Sequence, residues 1–161
     1  MNETIITLNV NRRTHQPAVQ PNETLLQVLR KLGYMDVKSG CEKGDCGACA
    51  VLLDGDAVNS CLVLALQADE AEVMTNAGLG TLDDPHPIQE AFADAGAVQC
   101  GFCTPGMIVS AKALLDRNPD PTEEEIREAI AGNLCRCTGY AQIVDAVQLA
   151  AARMGDKAKK R

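Results

Sequence analysis

The sequence predicts an α+β chain in two halves, a strand-rich half over residues 1–76 and a four-helix half over residues 88–154. Three observations predict it. Period-two alternation of apolar residues is confined to the first half. Apolar stripes at helical spacing fill the second half. Between them lies 77–87, a Gly-, Asp- and Pro-rich stretch with no periodicity that reads as a linker.

In the first half Ile6, Leu8 and Val10 alternate with Thr7 and Asn9. Asn11-Arg12-Arg13 reads as a turn, and Thr14 to Val19 as the return strand. Asn22 is the expected cap of a short helix carrying Leu25, Leu26, Val28, Leu29 and Leu32, which Gly33 ends. A cysteine-rich loop follows. Ala50 to Leu53 and Ala57 to Leu62 read as strands around the turn Asp54-Gly55-Asp56, and Glu72 to Thr75 as a last short strand.

The second half carries four stripes. Ile88, Ala91, Phe92 and Ala95 make the first. Met107, Ile108, Ala111, Leu114 and Leu115 make the second, with Pro105 in its first turn. Asn118-Pro119-Asp120-Pro121 breaks it. Thr122 and Glu125 form a capping box for a third helix with Ile126 and Ile130, and Ile143, Val147 and Ala150 mark a fourth. Four such helices make a compact bundle. The remaining 155–161, ending Lys157-Ala158-Lys159-Lys160-Arg161, reads as a solvated, disordered basic tail.

Composition narrows the function classes. Of 161 residues 46% are hydrophobic and 23% charged, as in ordinary globular proteins. No run approaches the roughly 20 apolar residues of a membrane span. A net charge of −7 argues against nucleic acid, which needs a basic face. Aromatic residues are only 2%, so the core is built from Leu, Ile, Val and Ala and gains from a second source of stability.

Eight cysteines can supply it, at 41, 46, 49, 61, 100, 103, 135 and 137. Disulfides need an oxidising compartment, and the N-terminus lacks the basic start and apolar block of a secretory signal, so the cytoplasm is expected. Inert buried cysteines would be scattered, yet seven fall in three tight groups. Metal remains. Cys41, Cys46 and Cys49, spaced by four and two residues and followed by the distant Cys61, match the plant-type 2Fe–2S pattern rather than paired zinc knuckles. Gly40, Gly44 and Gly47 let that loop curl and aim N–H groups at sulfur. A lone C-x-x-C leaves zinc, redox dithiol and cluster open. Cys100 and Cys103 with Cys135 and Cys137 nonetheless make a second tetrathiolate site, each pair ahead of a helical stripe whose N-terminus favours negative charge. Met107 reads as core. His15 reads as a turn-flanking surface residue, and His86 falls in the linker; neither stands at a metal spacing.

On these motifs the chain resembles the small iron–sulfur subunit of the molybdenum hydroxylases, the xanthine dehydrogenase and aldehyde oxidoreductase family. Three stretches carry the resemblance, which spans residues 4 to about 153: the loop ending Cys46-Gly47-Ala48-Cys49, Gln99 to Gly106, and Gly132 to Tyr140. Asn76-Ala77-Gly78-Leu79 departs from the more usual Ile-Glu-Gly-Leu. The resemblance implies a plant-type ferredoxin-like β-grasp domain holding one cluster through Cys41, Cys46, Cys49 and Cys61. It implies a helical domain holding a second through Cys100, Cys103, Cys135 and Cys137, with Gln99 and Cys137 touching a molybdopterin. It further implies a large molybdopterin-binding partner (pterin as the cytosine dinucleotide), a medium FAD-binding partner and a dimer of heterotrimers. The chain stops just after the fourth helix, so flavin and molybdenum domains are expected in partner chains.

The expected function is electron relay from the molybdopterin through both clusters to FAD or another acceptor, with no acid–base catalyst in this chain. All eight expected ligands are cysteine, so potentials near the plant-type value of about −400 mV are expected, shifted by burial. Expected substrates are purines or other N-heteroaromatic rings, or an aldehyde; carbon monoxide dehydrogenase and hydroxybenzoyl-CoA reductase small subunits are the nearest alternatives. A free ferredoxin-like carrier and a zinc-binding interaction module are the alternatives of another class.

Overall fold

The computed structural model describes residues 3–159. Seven strands and six α-helices follow in order. The first half holds β1 (Thr4–Ile5), β2 (Leu8–Val10), β3 (Arg13–His15), β4 (Ala18–Val19), α1 (Leu25–Lys31), β5 (Ala50–Leu53), β6 (Asp56–Asn59) and β7 (Glu72–Met74). The second begins with α2 (Asn76–Leu79) and holds α3 (Pro87–Asp94), α4 (Thr104–Arg117), α5 (Glu123–Ile130) and α6 (Ala141–Lys159).

The main sheet has the order β3-β2-β7-β5-β6, with β2 and β7 parallel and every other pair antiparallel. The first hairpin is split. β2 pairs with β3, while β1 and β4 form a separate ribbon. The split falls at Thr7, whose N–H donates 2.7 Å to Asp69 Oδ1 and whose carbonyl accepts from Glu70 N–H at 2.7 Å. Pro17, with no N–H to give, breaks the return strand. Both tight turns have two residues at positive φ, Asn11 and Arg12 at 51° and 66°, Asp54 and Gly55 at 51° and 92°, the geometry that matches strand twist.

Helix α1 is capped by Thr24, not Asn22: Thr24 Oγ1 accepts from Gln27 N–H at 3.3 Å, and Gln27 Oε1 accepts from Thr24 N–H at 2.9 Å. Thr and Gln three apart close a reciprocal box that Asn22 could not. At the other end Tyr34 N–H bonds to Leu29 O and Gly33 N–H to Arg30 O, a Schellman pair with Gly33 at φ 94°. The strand expected over 57–62 is four residues long, Asp56–Asn59, because the chain turns at Cys61 into a 3-10 turn over Ala65–Ala68. Leu25, Leu26 and Leu29 of α1 meet Leu8, Val10, Val51 and Val73 of the sheet in one buried cluster.

A second cluster, with Ile88, Phe92, Met107, Ile126, Ile130, Ile143 and Val147, lies among α3 to α6. Met107 is wholly buried, as core. The Thr122–Glu125 box caps α5 as expected. Part of the stretch read as linker is the helical turn α2, and Gln89 anchors the rest: its Nε2 donates to Asn76 O at 2.9 Å and its Oε1 accepts from His86 N–H at 2.9 Å. The tail expected to be disordered is helical backbone through Lys159; Lys160 and Arg161 lie outside the described residues.

The run Ala50-Val51-Leu52-Leu53 is apolar throughout because β5 is covered on both faces. Successive side chains point to opposite faces of a strand. Val51 enters the first cluster, while Ala50 and Leu52 pack on Val109 and Ala113 of α4.

Candidate functional site

Each cysteine group sits where local backbone bonding shapes a loop. The first loop is closed at its base by Lys38 N–H to Ala48 O, 3.3 Å. Asn59, at the end of β6, reaches across it and donates to Gly44 O at 3.2 Å. The buried Ser60 hydroxyl donates to Cys49 O at 2.7 Å, fixing Cys49 beside Cys61. Of the three loop glycines, Gly44 and Gly47 take positive φ; Gly40 does not, and a Cβ there would lie 2.8 Å from Cys46 Sγ, so a side chain at this position would displace that thiol.

Within this loop the thiols meet in pairs. Cys41 lies against Cys46, and Cys49 against Cys61. Backbone N–H groups of Lys43, Cys46 and Asp45 point at Cys41 Sγ (Asp45 at 3.3 Å) and lower its pKa from 9.0 to about 7. Burial and the neighbouring Cys49 raise Cys61 to about 11.

The second group is assembled from two segments. Cys103 is the N-cap residue of α4, and Cys100 lies exposed three residues earlier. Cys135 and Cys137 stand in the loop between α5 and α6. Tyr140, at φ 71°, pins that loop: its hydroxyl accepts from Cys135 N–H at 2.8 Å and donates to Asn133 O at 3.2 Å. Thr138 Oγ1 lies 3.3 Å from Cys135 Sγ. The thiols again pair, Cys103 with Cys135 and Cys100 with Cys137. Burial, then Cys135, push Cys103 up to about 12. Burial also raises Cys135, but the Thr138 hydroxyl and the N–H groups of Thr138 and Cys137 outweigh it and bring it to about 7. The Cys100 thiol raises Cys137.

Four thiols at each site are the donor set that a two-iron cluster takes. The N–H groups aimed at Cys41 suit a negatively charged thiolate centre. Gln99 and Cys137 are both exposed on the Cys100 side of the second site. His15 is engaged elsewhere, 2.8 Å from the Tyr34 hydroxyl, and His86 Nδ1 accepts from Ile88 N–H at the start of α3.

The two loops touch. Leu134 N–H donates to Cys46 O at 2.9 Å, and the Asn133 amide donates to Gly47 O at 2.9 Å. The motifs did not reveal Asn59, Ser110, Asn133, Thr138 or Tyr140 as supporting residues. For Asn133 no local signal existed, since its neighbours Gly132 and Leu134 are both exposed and its own burial depends on packing against Gly47 and Ser110.

Fold and thiols together define a chain built to hold two iron–sulfur clusters. Comparison with known proteins narrows the class. A 2Fe-2S iron-sulfur cluster binding domain model matches residues 8–79, and a [2Fe-2S] binding domain model matches residues 75–148. The chain is 52% identical over 154 residues to the nicotinate dehydrogenase small FeS subunit of Eubacterium barkeri, covering 95% of this chain and 98% of that one. It is 47% identical to the xanthine dehydrogenase iron-sulfur-binding subunit of Escherichia coli, covering 90% of this chain and 93% of that one. Quinoline 2-oxidoreductase of Pseudomonas putida superposes with a TM-score of 0.90 at 40% identity, covering 95% of this chain and 98% of the matched chain.

The chain therefore belongs to the small iron–sulfur subunits of the xanthine dehydrogenase-type molybdenum hydroxylases. No helix among the described residues is long and apolar enough to cross a membrane.

Proposed function

We propose that this chain carries electrons between a molybdopterin-binding large subunit and a flavin-binding subunit of a cytoplasmic hydroxylase for N-heteroaromatic rings, assembled as a dimer of heterotrimers. The ring substrate is supported by relatives named for nicotinate and quinoline. Residues 1–76 serve as the ferredoxin-like domain and 88–154 as the helical one, a division that follows the two buried clusters.

When bound, the clusters supply one-electron oxidation and reduction with little rearrangement. This chain's residues hold and tune them. Cys41, Cys46, Cys49 and Cys61 hold the first; Cys100, Cys103, Cys135 and Cys137 hold the second. Gln99 and Cys137, both exposed, contact the pterin of the large subunit. The Asp45 N–H on Cys41 and the Thr138 hydroxyl beside Cys135 stabilise sulfur-borne negative charge.

One observation carries the relay. The 2.9 Å bond from Leu134 N–H to Cys46 O joins a ligand loop of the second site to one of the first, so covalent bonds and a single hydrogen bond connect Cys135 to Cys46. The order is tested in the assembled enzyme by two variants. Cys103→Ser is expected to remove one paramagnetic signal and stop reduction of the chain by substrate. Cys46→Ser is expected to leave substrate reduction of the second site intact and block exit to the flavin. An identical early block in both would contradict the order.

A further inference from the structure

Leu134 is 57% accessible, so its side chain is not buried against the Cys46 loop and does not itself fix the Leu134–Cys46 hydrogen bond. A single hydrogen bond between two loops is a weak tie by itself. Its neighbour is different. Asn133 is 4% accessible and bonded at both ends of its amide, Nδ2 donating to Gly47 O at 2.9 Å and Oδ1 accepting from the buried Ser110 hydroxyl at 2.7 Å. Gly47 adjoins Cys46, Ser110 lies on the helix that Cys103 caps, and Asn133 sits two residues before Cys135. One amide thus ties three of the four cysteine segments.

The backbone around it is packed to contact. A Cβ on Gly47 would lie 2.4 Å from Gly132 O, and one on Gly106 would lie 2.5 Å from Gly47 O. Glycine at both places lets α4, the first loop and the 132–135 loop meet face to face, with the Asn133 side chain in the middle. The buried amide cannot turn away without stripping the Ser110 hydroxyl of its acceptor and leaving the Gly47 carbonyl with the Ala50 N–H alone, at 3.1 Å.

The geometry points to Asn133 as the positioning residue for electron passage between the two sites: its amide holds the Cys46 and Cys135 loops in the register that makes the Leu134–Cys46 bond. The inference rests on the relay reading. The Asn133 amide bonds to Gly47 O and the Ser110 hydroxyl, and among the described residues to no thiol, so its contribution is register, not ligation.

The test uses the full chain carrying iron and sulfide, with Asn133→Leu, Ser110→Ala and Ser110→Thr. Three quantities are read: the magnetic splitting between the two reduced centres, the rate of electron equilibration between them after pulsed one-electron reduction, and hydrogen exchange at the Leu134 amide. Asn133→Leu is expected to keep wild-type iron and each centre's own g-values. Splitting should shrink, equilibration should slow several-fold, and Leu134 exchange should rise about tenfold, the loss of one hydrogen bond. Ser110→Ala should move all three the same way by less, and Ser110→Thr, which keeps the hydroxyl, should restore them. Unchanged splitting and rate in Asn133→Leu would overturn the inference. Should that variant lose iron, Ser110→Ala decides: unchanged splitting and rate there overturn it equally. A wild-type chain with only one centre would sink the relay reading instead.

Discussion

The two thiol sites solve one chemical problem by different means. The first draws three of its cysteines from a single loop of nine residues, 41–49, shaped by its own backbone, and borrows Cys61 from just past β6. The second draws two pairs from segments over thirty residues apart, 100–103 and 135–137, which meet only when α3 to α6 pack. A locally built site survives damage to the fold around it; a site assembled by packing does not.

The sharpest way to break that contrast is to weaken the bundle. Phe92 is buried among its helices. Phe92→Ala should cost about 4 kcal/mol and deplete iron from the second site first. Denaturant unfolding with iron analysis checks this; equal loss from both sites would show that the first is no more local than the second.

Gly47→Ala probes where the sites meet. The new Cβ would fall 2.4 Å from Gly132 O and 2.6 Å from Asn133 Nδ2, at a φ of 66°. Overpacking against backbone should cost about 3 kcal/mol. Gly139 has nearly the same φ, 62°, but nothing within 4 Å of its Cβ, so Gly139→Ala should cost about 1 kcal/mol. Thermal melts of the pair separate steric contact from backbone strain.

Much of this was legible, and the reasons are physical. The 41–49 loop could be read because ligand spacing within one loop is a local property. The helices could be read because a stripe over eight or more residues repeats often enough to show a period, and the Thr122–Glu125 box is a signal contained in four consecutive residues. Four-residue elements such as α2 and the 3-10 turn at Ala65–Ala68 are shorter than any period that would announce them. The cap of α1 moved from Asn22 to Thr24 because two capable residues stood there and the choice rested on Gln27 reaching back to the second. The contact of Asn133 with Gly47 spans 86 residues and depends on the packing of α4 on β5, which no local pattern encodes.

The same contrast predicts smaller effects. Thr122→Ala removes an exposed cap on α5 and should cost about 1 kcal/mol, without touching iron at either site; a melt with iron analysis checks both.

Thiol chemistry of the metal-free chain should separate two cysteines, one at each site, from two others. Cys41 and Cys135 lie near 7 while Cys61 and Cys103 rise to about 11 and 12. A lowered pKa favours thiolate, so at pH 8 the first two are ionised and the last two remain thiols. Alkylation followed by mass spectrometry should label Cys41 and Cys135 before Cys61 and Cys103 at pH 8; labelling of the first two should slow as pH falls through 7, and the preference should narrow only as pH rises towards 11. Equal labelling at pH 8 would show that the N–H groups and Thr138 do not tune their sulfurs.

Electron paramagnetic resonance of the dithionite-reduced chain, with iron and sulfide counted on the same sample, tests the central claim most directly. Two Cys₄ clusters require about four irons and four sulfides per chain and two separate signals. A single signal with about two irons would contradict it.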